Sequence, residues 1–381
     1  MTNSGDQQRL RVLYYQPYVP AYRKPLFTRI DELLRQEGGS LTVAASSPDA
    51  TMAHRNDAVD APWLATVKTI QIPTPLGPLR YRRAINLMAN PPRVVVTELD
   101  PANLNAWLGT FHPTTPLVLW GHGKTFTGPE RGIVAHARSL LALRATHVMT
   151  YTEAGRQALI ERGLPPRLVT AVGNSTDTRS LHAALVQRRR KPLDHSYAFN
   201  LDLRHKRPFA YLGGLDDDKC IPFLIDAAEH AHRLDPRFTL LVAGSGNREH
   251  ILRTVDPAIV HWIPRANTEE VADLLSVSEA IWMPGRIGLV AVDALTAQIP
   301  IHTTNFPYHA PEFEFLREGI DVHIHPGDSR TFAIESLKTT SMRPRHNSAH
   351  NQIDHLSIET VAENMIGVLR SAVLQMTRAK R

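Results

Sequence analysis

The feature that most constrains this chain is a rhythm. Short apolar runs rich in β-branched residues alternate with segments of helical periodicity, and the pattern runs through the sequence twice. Such alternation predicts parallel sheets, because parallel strands need long crossovers and helices supply them. The first series of expected strands is Arg11–Tyr15, Leu41–Ala45, Val94–Thr97, Leu117–Trp120, His147–Thr152 and Leu168–Val172. Helices are expected at Pro25–Glu37, where proline suits a first turn, and at Glu153–Arg162, which Gly163 can end. The second series is Phe209–Gly214, Thr239–Gly246, Ile259–Pro264, Ala280–Gly285, Ile299–Thr304 and Asp321–His325. Its crossovers are Ile221–Leu234, Thr268–Ser276 and Leu289–Ala297. The fold class is therefore α/β, with two doubly wound, Rossmann-like lobes.

A length of 381 residues suits two cores better than one. The expected division is a first lobe at 1–187, a polar, basic linker at 188–207 and a second lobe at 208–356. From Ser357 onward, Ile358, Val361, Met365, Val368, Ala372 and Met376 recur near one helical face. The final helix, 357–381, is expected to pack back on the first lobe.

The formal charge of +6 favours anionic partners. Two basic runs, Arg80–Arg83 and Arg188–Lys191, read either as solvated loop and linker or as contacts to an anionic membrane surface. Nucleic acid is not expected, since no helix-turn-helix, zinc-finger or RNA-recognition pattern is present in the sequence. No apolar run approaches the roughly 18 to 20 residues that span a bilayer, and the polar start lacks a secretory core, so a cytoplasmic protein is expected. Cys220 is the only cysteine, which excludes an internal disulfide and a cysteine-based zinc site.

Open parallel sheets bind ligands beyond the carboxyl ends of their strands. The sequence places small or polar residues there: Gly121–Gly123 around His122, Gly213 with Gly214, Gly244 with Gly246, and Gly285–Gly288. Ile281–Pro300 reads as a strand, a glycine-bearing turn and a helix. The amides of Gly288, Leu289 and Val290 would then open a helix without intrahelical partners and offer a phosphate site.

With these positions laid out, the chain resembles the family 4 glycosyltransferases. The segment VGNSTDTRSL (Val172–Leu181) is similar to the end of that family's first lobe. YLGGLDDDKCIPFLIDA (Tyr211–Ala227) resembles the opening strand and helix of its donor lobe, and LLVAGSGN (Leu240–Asn247) its Gly-rich second turn. PGRIGLVAVDAL (Pro284–Leu295) sits where the family carries two acidic residues eight positions apart. The resemblance implies the GT-B fold with an inter-lobe cleft, and transfer of a sugar from a nucleotide-sugar donor with retention of anomeric configuration. It implies a glycan or lipid-linked acceptor, work in bacterial surface polysaccharide or glycolipid assembly, and no cofactor or metal. A peripheral position at the inner face of the plasma membrane is the matching expectation.

The resemblance also implies roles. Lys219 would meet the donor phosphates, with Gly213, Gly214, Gly244 and Gly246 lining the site, and Asp293 would take the ribose hydroxyls. Arg23, from a Pro- and aromatic-rich first turn, and His122 would serve the acceptor side. Lys219 also reads as a solvated lysine at a helix start, and His122 as a histidine held in a tight turn. Two departures stand out. Gly214 replaces the usual arginine, and Gly285 replaces the first acidic residue. Arg286 is the candidate replacement cation, and His309, Glu312 or Glu314 the candidate for the lost carboxylate. Asp216–Asp218 are expected to point outward, because carboxylates repel a diphosphate. His302, His323 and His325 are read as ordinary histidines for want of metal-ligand spacing. Two further readings stay open: a nucleotide-sugar 2-epimerase of the same plan, and a non-catalytic nucleotide-sugar binder.

Overall fold

The computed structural model describes residues 9–48, 59–75, 77–84, 91–126, 128, 132–190, 199, 201–341 and 354–378. The chain divides into two compact units, Met1–Thr176 with Ile358–Arg381, and Asp177–Ser357.

The first unit runs β1 (Arg11–Gln16), α1 (Lys24–Gln36), β2 (Ser40–Ala45), β3 (Leu64–Thr66), β4 (Lys68–Ile72), β5 (Leu79–Arg83), β6 (Val94–Glu98), α2 (Leu104–Gly109), β7 (Leu117–Gly121), α3 (Gly132–Arg144), β8 (His147–Thr150), α4 (Glu153–Glu161) and β9 (Val169–Ala171). Seven strands form one sheet in the order β3-β2-β1-β6-β7-β8-β9, and every pairing in it is parallel. Because helices cover both faces, a central strand is apolar along its length. Val12 to Tyr15 are all buried. The strand expected to reach Thr152 stops at Thr150, since Thr152 caps α4 by accepting the Gly155 amide.

The antiparallel hairpin β4-β5 was not expected, and it corrects the reading of the first basic run. Arg82 is buried and forks onto both carboxylate oxygens of Glu98, at 2.6 and 3.2 Å, while Arg80 pairs with Asp100. Burial raises the Glu98 pKa, and Arg82 opposes that shift. These arginines hold the hairpin to β6 and the turn after it, rather than facing a membrane.

The second unit opens with α5 (Thr178–Arg190) and continues β10 (Arg207–Leu212), α6 (Ile221–Leu234), β11 (Phe238–Ala243), α7 (Glu249–Leu252), β12 (Val260–Ile263), α8 (Thr268–Val277), β13 (Ile281–Trp282), α9 (Val290–Ala297), β14 (Ile301–Thr303), β15 (Val322–Ile324) and α10 (Ser329–Ser341). Its sheet runs β12-β11-β10-β13-β14-β15, also all parallel. Both sheets reverse their strand order beside the first strand, the place where such sheets bind ligands.

The passage between units falls at Thr176–Asp177, earlier than the linker expected at 188–207. Leu181, Ala184 and Leu185 share one face of α5 and bury it in the second core. Arg188 binds Glu269, at 2.9 Å, and Asp273, both on α8. Lys191 lies outside the described residues. The last helix, α11 (Ile358–Arg378), belongs to the first unit, where Val361, Met365 and Leu369 join Phe27, Ile30 and Leu34 of α1 in one cluster.

Candidate functional site in the second unit

The loop after β10 is clamped from two sides. Gly244, after β11, lies so near that a Cβ there would fall 1.8 Å from the carbonyl oxygen of Gly213. Beside it, Leu215 donates to the Ser245 carbonyl at 3.0 Å, and Gly246 lies against Leu215. On the other side, a Cβ at Gly285 would stand 2.3 Å from the Asp218 carbonyl oxygen and 2.6 Å from the Lys219 carbonyl carbon. Real Cβ atoms do not approach so closely, so Gly285 is set by the backbone that crosses it. This explains the departure at Gly285: no carboxylate side chain fits there while the 217–219 turn crosses it. At Gly214 the nearest atom to an added Cβ is the carboxylate of Asp216, the end of a movable side chain. Nothing in the backbone explains the departure at Gly214.

The clamp fixes Lys219 at the end of a 3-10 turn, Asp217–Lys219. Its ammonium donates to the carbonyl of Arg286. Burial lowers the Lys219 pKa, with Arg286 acting the same way, while Asp218, Asp216 and Glu312 act against them. An ammonium has three donors, so one bond to a carbonyl leaves capacity for an anion. The Arg286 guanidinium stands 3.8 Å from Asp218, and its amide donates to the Asp218 carbonyl at 2.8 Å. Asp217 turns away to Arg248, as expected of all three aspartates. Asp218 does not, because Arg286 holds it.

Four residues beyond Arg286 the helix begins. Ala291 and Val292 donate to Gly288 and Leu289. The amides of Gly288, Leu289 and Val290 have no acceptor among the described residues. They carry the positive end of the α9 dipole, beside the turn that holds Lys219 and Arg286. Asp293 lies in the first turn of α9 and is half-buried.

A second segment closes this turn from above. Ile287 donates to Nδ1 of His309 at 3.1 Å, and Ala310 donates to the Ile287 carbonyl at 2.8 Å. Accepting at Nδ1 puts the neutral ring's proton on Nε2. Burial first, then Lys219 and Arg286, press the His309 pKa down to about 4. The ring stacks on Phe313 at 4.0 Å between centroids. Glu312 is buried in the following turn, Pro311–Phe315, close enough to Lys219 to favour its charged form. The structure thus brings Lys219, Arg286, His309 and Glu312 around the start of α9.

In the first unit, Arg23 and His122 meet through a residue the sequence reading missed. The Arg23 guanidinium lies 4.4 Å from the Trp120 ring centre, and its Nη2 donates to the Tyr151 hydroxyl at 3.3 Å. His122 is exposed and meets the Tyr151 ring edge-on at 4.7 Å. Tyr151 directly follows β8, and its position after the MT of HVMTYT was the available signal. His302 and His325 of the second unit hydrogen-bond each other at 2.7 Å, and His302 also meets Thr340 at 2.9 Å. Among the described residues no group of three or more His, Cys, Asp or Glu could hold a metal ion.

Residues 206–340 match the family model described as glycosyl transferases group 1. No curated protein matches the chain. Among solved structures, the chain is similar to HepE of Anabaena in complex with UDP, at 16% identity and a TM-score of 0.63, covering 95% of this chain and 100% of that one. It is similar to the UDP-N-acetylglucosamine 2-epimerase of Rickettsia bellii, at 13% identity and 0.65, covering 97% and 98%. It is also similar to the trehalose 6-phosphate synthase of Burkholderia multivorans, at 14% and 0.62, covering 97% and 99%. At such identities the likeness establishes the GT-B fold, which transferases and epimerases share.

Proposed function

We propose that the protein is a glycosyltransferase that takes a sugar, of the hexose class, from a nucleotide-sugar donor and passes it with retention to a glycan or lipid-linked acceptor. One observation carries this reading: three amides with no acceptor among the described residues open α9 beside a turn that also fixes Lys219 and Arg286. Glycosyl transfer needs most help where the anomeric bond breaks, because negative charge grows on the departing diphosphate. Donors fixed in advance stabilise that charge without reorganising. On this reading the two cations and the amides neutralise the diphosphate, and the role is assigned to them rather than to a metal ion. Asp293 is assigned to the ribose hydroxyls, and Glu312 with the Nε2–H of His309 to the sugar. Arg23, Tyr151 and His122 are assigned to the acceptor. The group 1 glycosyl transferase match over the same unit supports the assignment, as does the UDP seen bound to HepE. A cytoplasmic setting, in bacterial polysaccharide or glycolipid assembly, goes with it.

The likeness to a 2-epimerase favours a second reading of the same site. Incubation with a panel of nucleotide sugars separates them. Release of free sugar with nucleoside diphosphate is the expected result. Inversion at C2 would assign an epimerase, and binding without turnover a non-catalytic binder.

A further inference from the structure

We propose that the outward face of α3 in the first unit is a docking surface for an anionic phospholipid membrane. This inference stands apart from the assignment of the donor site. A surface helix ordinarily turns polar residues to water. Here Leu141 and Ala142 bury the inner side of α3, yet Ile133, Leu140 and Leu143 on the other side are 61, 38 and 48% exposed. Their spacing brings the three near one face. Helix α2 packs into the same core cluster through Ala106, and its end exposes Leu108 and, just beyond, Phe111 at 76%. Large apolar side chains exposed together on one helix face mark an interaction site more often than ones scattered singly.

Charge identifies the partner. Neither α2 nor α3 contains an Asp or Glu, and between Asp100 and Glu153 the sequence has one acidic residue, Glu130, against Lys124, Arg131, Arg138 and Arg144. An open cavity of about 400 Å³ runs beside α3, lined by Ala135, His136, Ser139, Leu140, Leu143 and Arg162. Arg138 and Arg162 are near enough to repel, and burial together with Arg162 lowers the Arg138 pKa. A second copy docking through this face would set cation against cation, since a two-fold contact pairs a patch with itself. A surface of anionic headgroups over acyl chains matches both the arginines and the aliphatic side chains. The basic runs at Arg80–Arg83 and Arg188–Lys191 are the poorer candidates, because Arg80, Arg82 and Arg188 are held by carboxylates of this chain.

The test is flotation with phosphatidylcholine vesicles, with and without phosphatidylglycerol. Wild-type protein is expected to float with the anionic vesicles, less as salt rises. Replacing Ile133→Ser, Leu140→Gln and Leu143→Gln together should weaken partitioning about tenfold or more. The pair Leu234→Gln and Leu374→Gln, exposed elsewhere, should not change it. No binding to anionic vesicles overturns the proposal, as does binding that the triple variant retains. A concentration-dependent dimer in sedimentation, lost in the triple variant, would assign the face to self-association and also overturn it. If the triple variant does not fold, Leu140→Cys in a Cys220→Ser background, carrying an environment-sensitive dye, replaces it. A blue shift on anionic vesicles is expected, and an unchanged spectrum contradicts the proposal. Donor binding by the triple variant should equal wild type, so failure here leaves the donor site untouched.

Discussion

The two units share a sheet plan and differ in how they finish the turn after the first strand. In the second unit that turn is packed backbone on backbone, between Gly244 on one side and Gly285 on the other. In the first unit the corresponding turn contains no glycine and ends in Arg23, whose guanidinium rests on Trp120 and Tyr151. Backbone amides and close-packed glycines present a fixed array of donors, which suits a diphosphate common to many donors. Side chains present shape and hydrogen bonds that vary with the residue, which suits an acceptor. On the proposed reading, each unit's role follows from whether its turn is built of peptide groups or of side chains.

The largest effect should come from breaking the backbone packing. Gly285→Glu restores the residue type the sequence comparison leads one to expect, yet it drives a Cβ into Asp218 and Lys219. Overpacking of this kind costs about 1–3 kcal/mol or more. Urea unfolding of the variant should show that loss, with donor binding reduced rather than gained. An unchanged midpoint would mean that the clamp is not tight.

Acid should affect both units. Burial presses the pKa of His147, on β8, down to about 4, as it does for His309. Both stay neutral in the folded state where an unfolded histidine, near 6.5, already binds a proton. The unfolded state therefore takes up more protons between these values, and stability is lost as pH falls from about 6.5 toward 4. Melting curves across that range should show the decline, and His147→Gln should flatten part of it. Protonating His309 in the folded protein, as pH approaches about 4, also removes the acceptor for the Ile287 amide, so donor affinity should hold above about pH 5 and weaken only near the lower value.

Smaller effects are expected in the first unit. Arg23→Lys gives up the planar stacking on Trp120, worth about 0.5–2 kcal/mol. Tyr151→Phe removes one hydrogen bond, worth about 0.5–1.5 kcal/mol. Both should slow transfer to acceptor while leaving donor hydrolysis unchanged. If hydrolysis falls equally, the division of labour between units is wrong.

Much of this was legible in the sequence because parallel strands announce themselves as apolar runs. The hairpin β4-β5 did not, since its strands mix charges with apolar residues and the burial of Arg82 depends on Glu98, distant in sequence. The passage between units was expected later in the chain, at 188–207, for a related reason. The arginines that end α5 read as solvated linker, whereas Arg188 is neutralised by Asp273 and Glu269, far along the chain. Lys219 was singled out by the family resemblance, whereas the opening of α9 was legible from local turn chemistry. The role of Gly285 was not, because a glycine required by a passing backbone looks in sequence like a lost side chain. Tyr151 was missed because its contacts with Arg23 and His122 join three separate strand ends.

The most direct measurement is calorimetric titration of a panel of nucleoside diphosphates into wild-type protein and Lys219→Ala. Losing a charged hydrogen bond of about 1.5–3 kcal/mol should weaken the preferred nucleotide about 10- to 100-fold. Equal affinity in the two proteins, or no affinity of the wild type for any nucleotide in the panel, would contradict a diphosphate site at the start of α9.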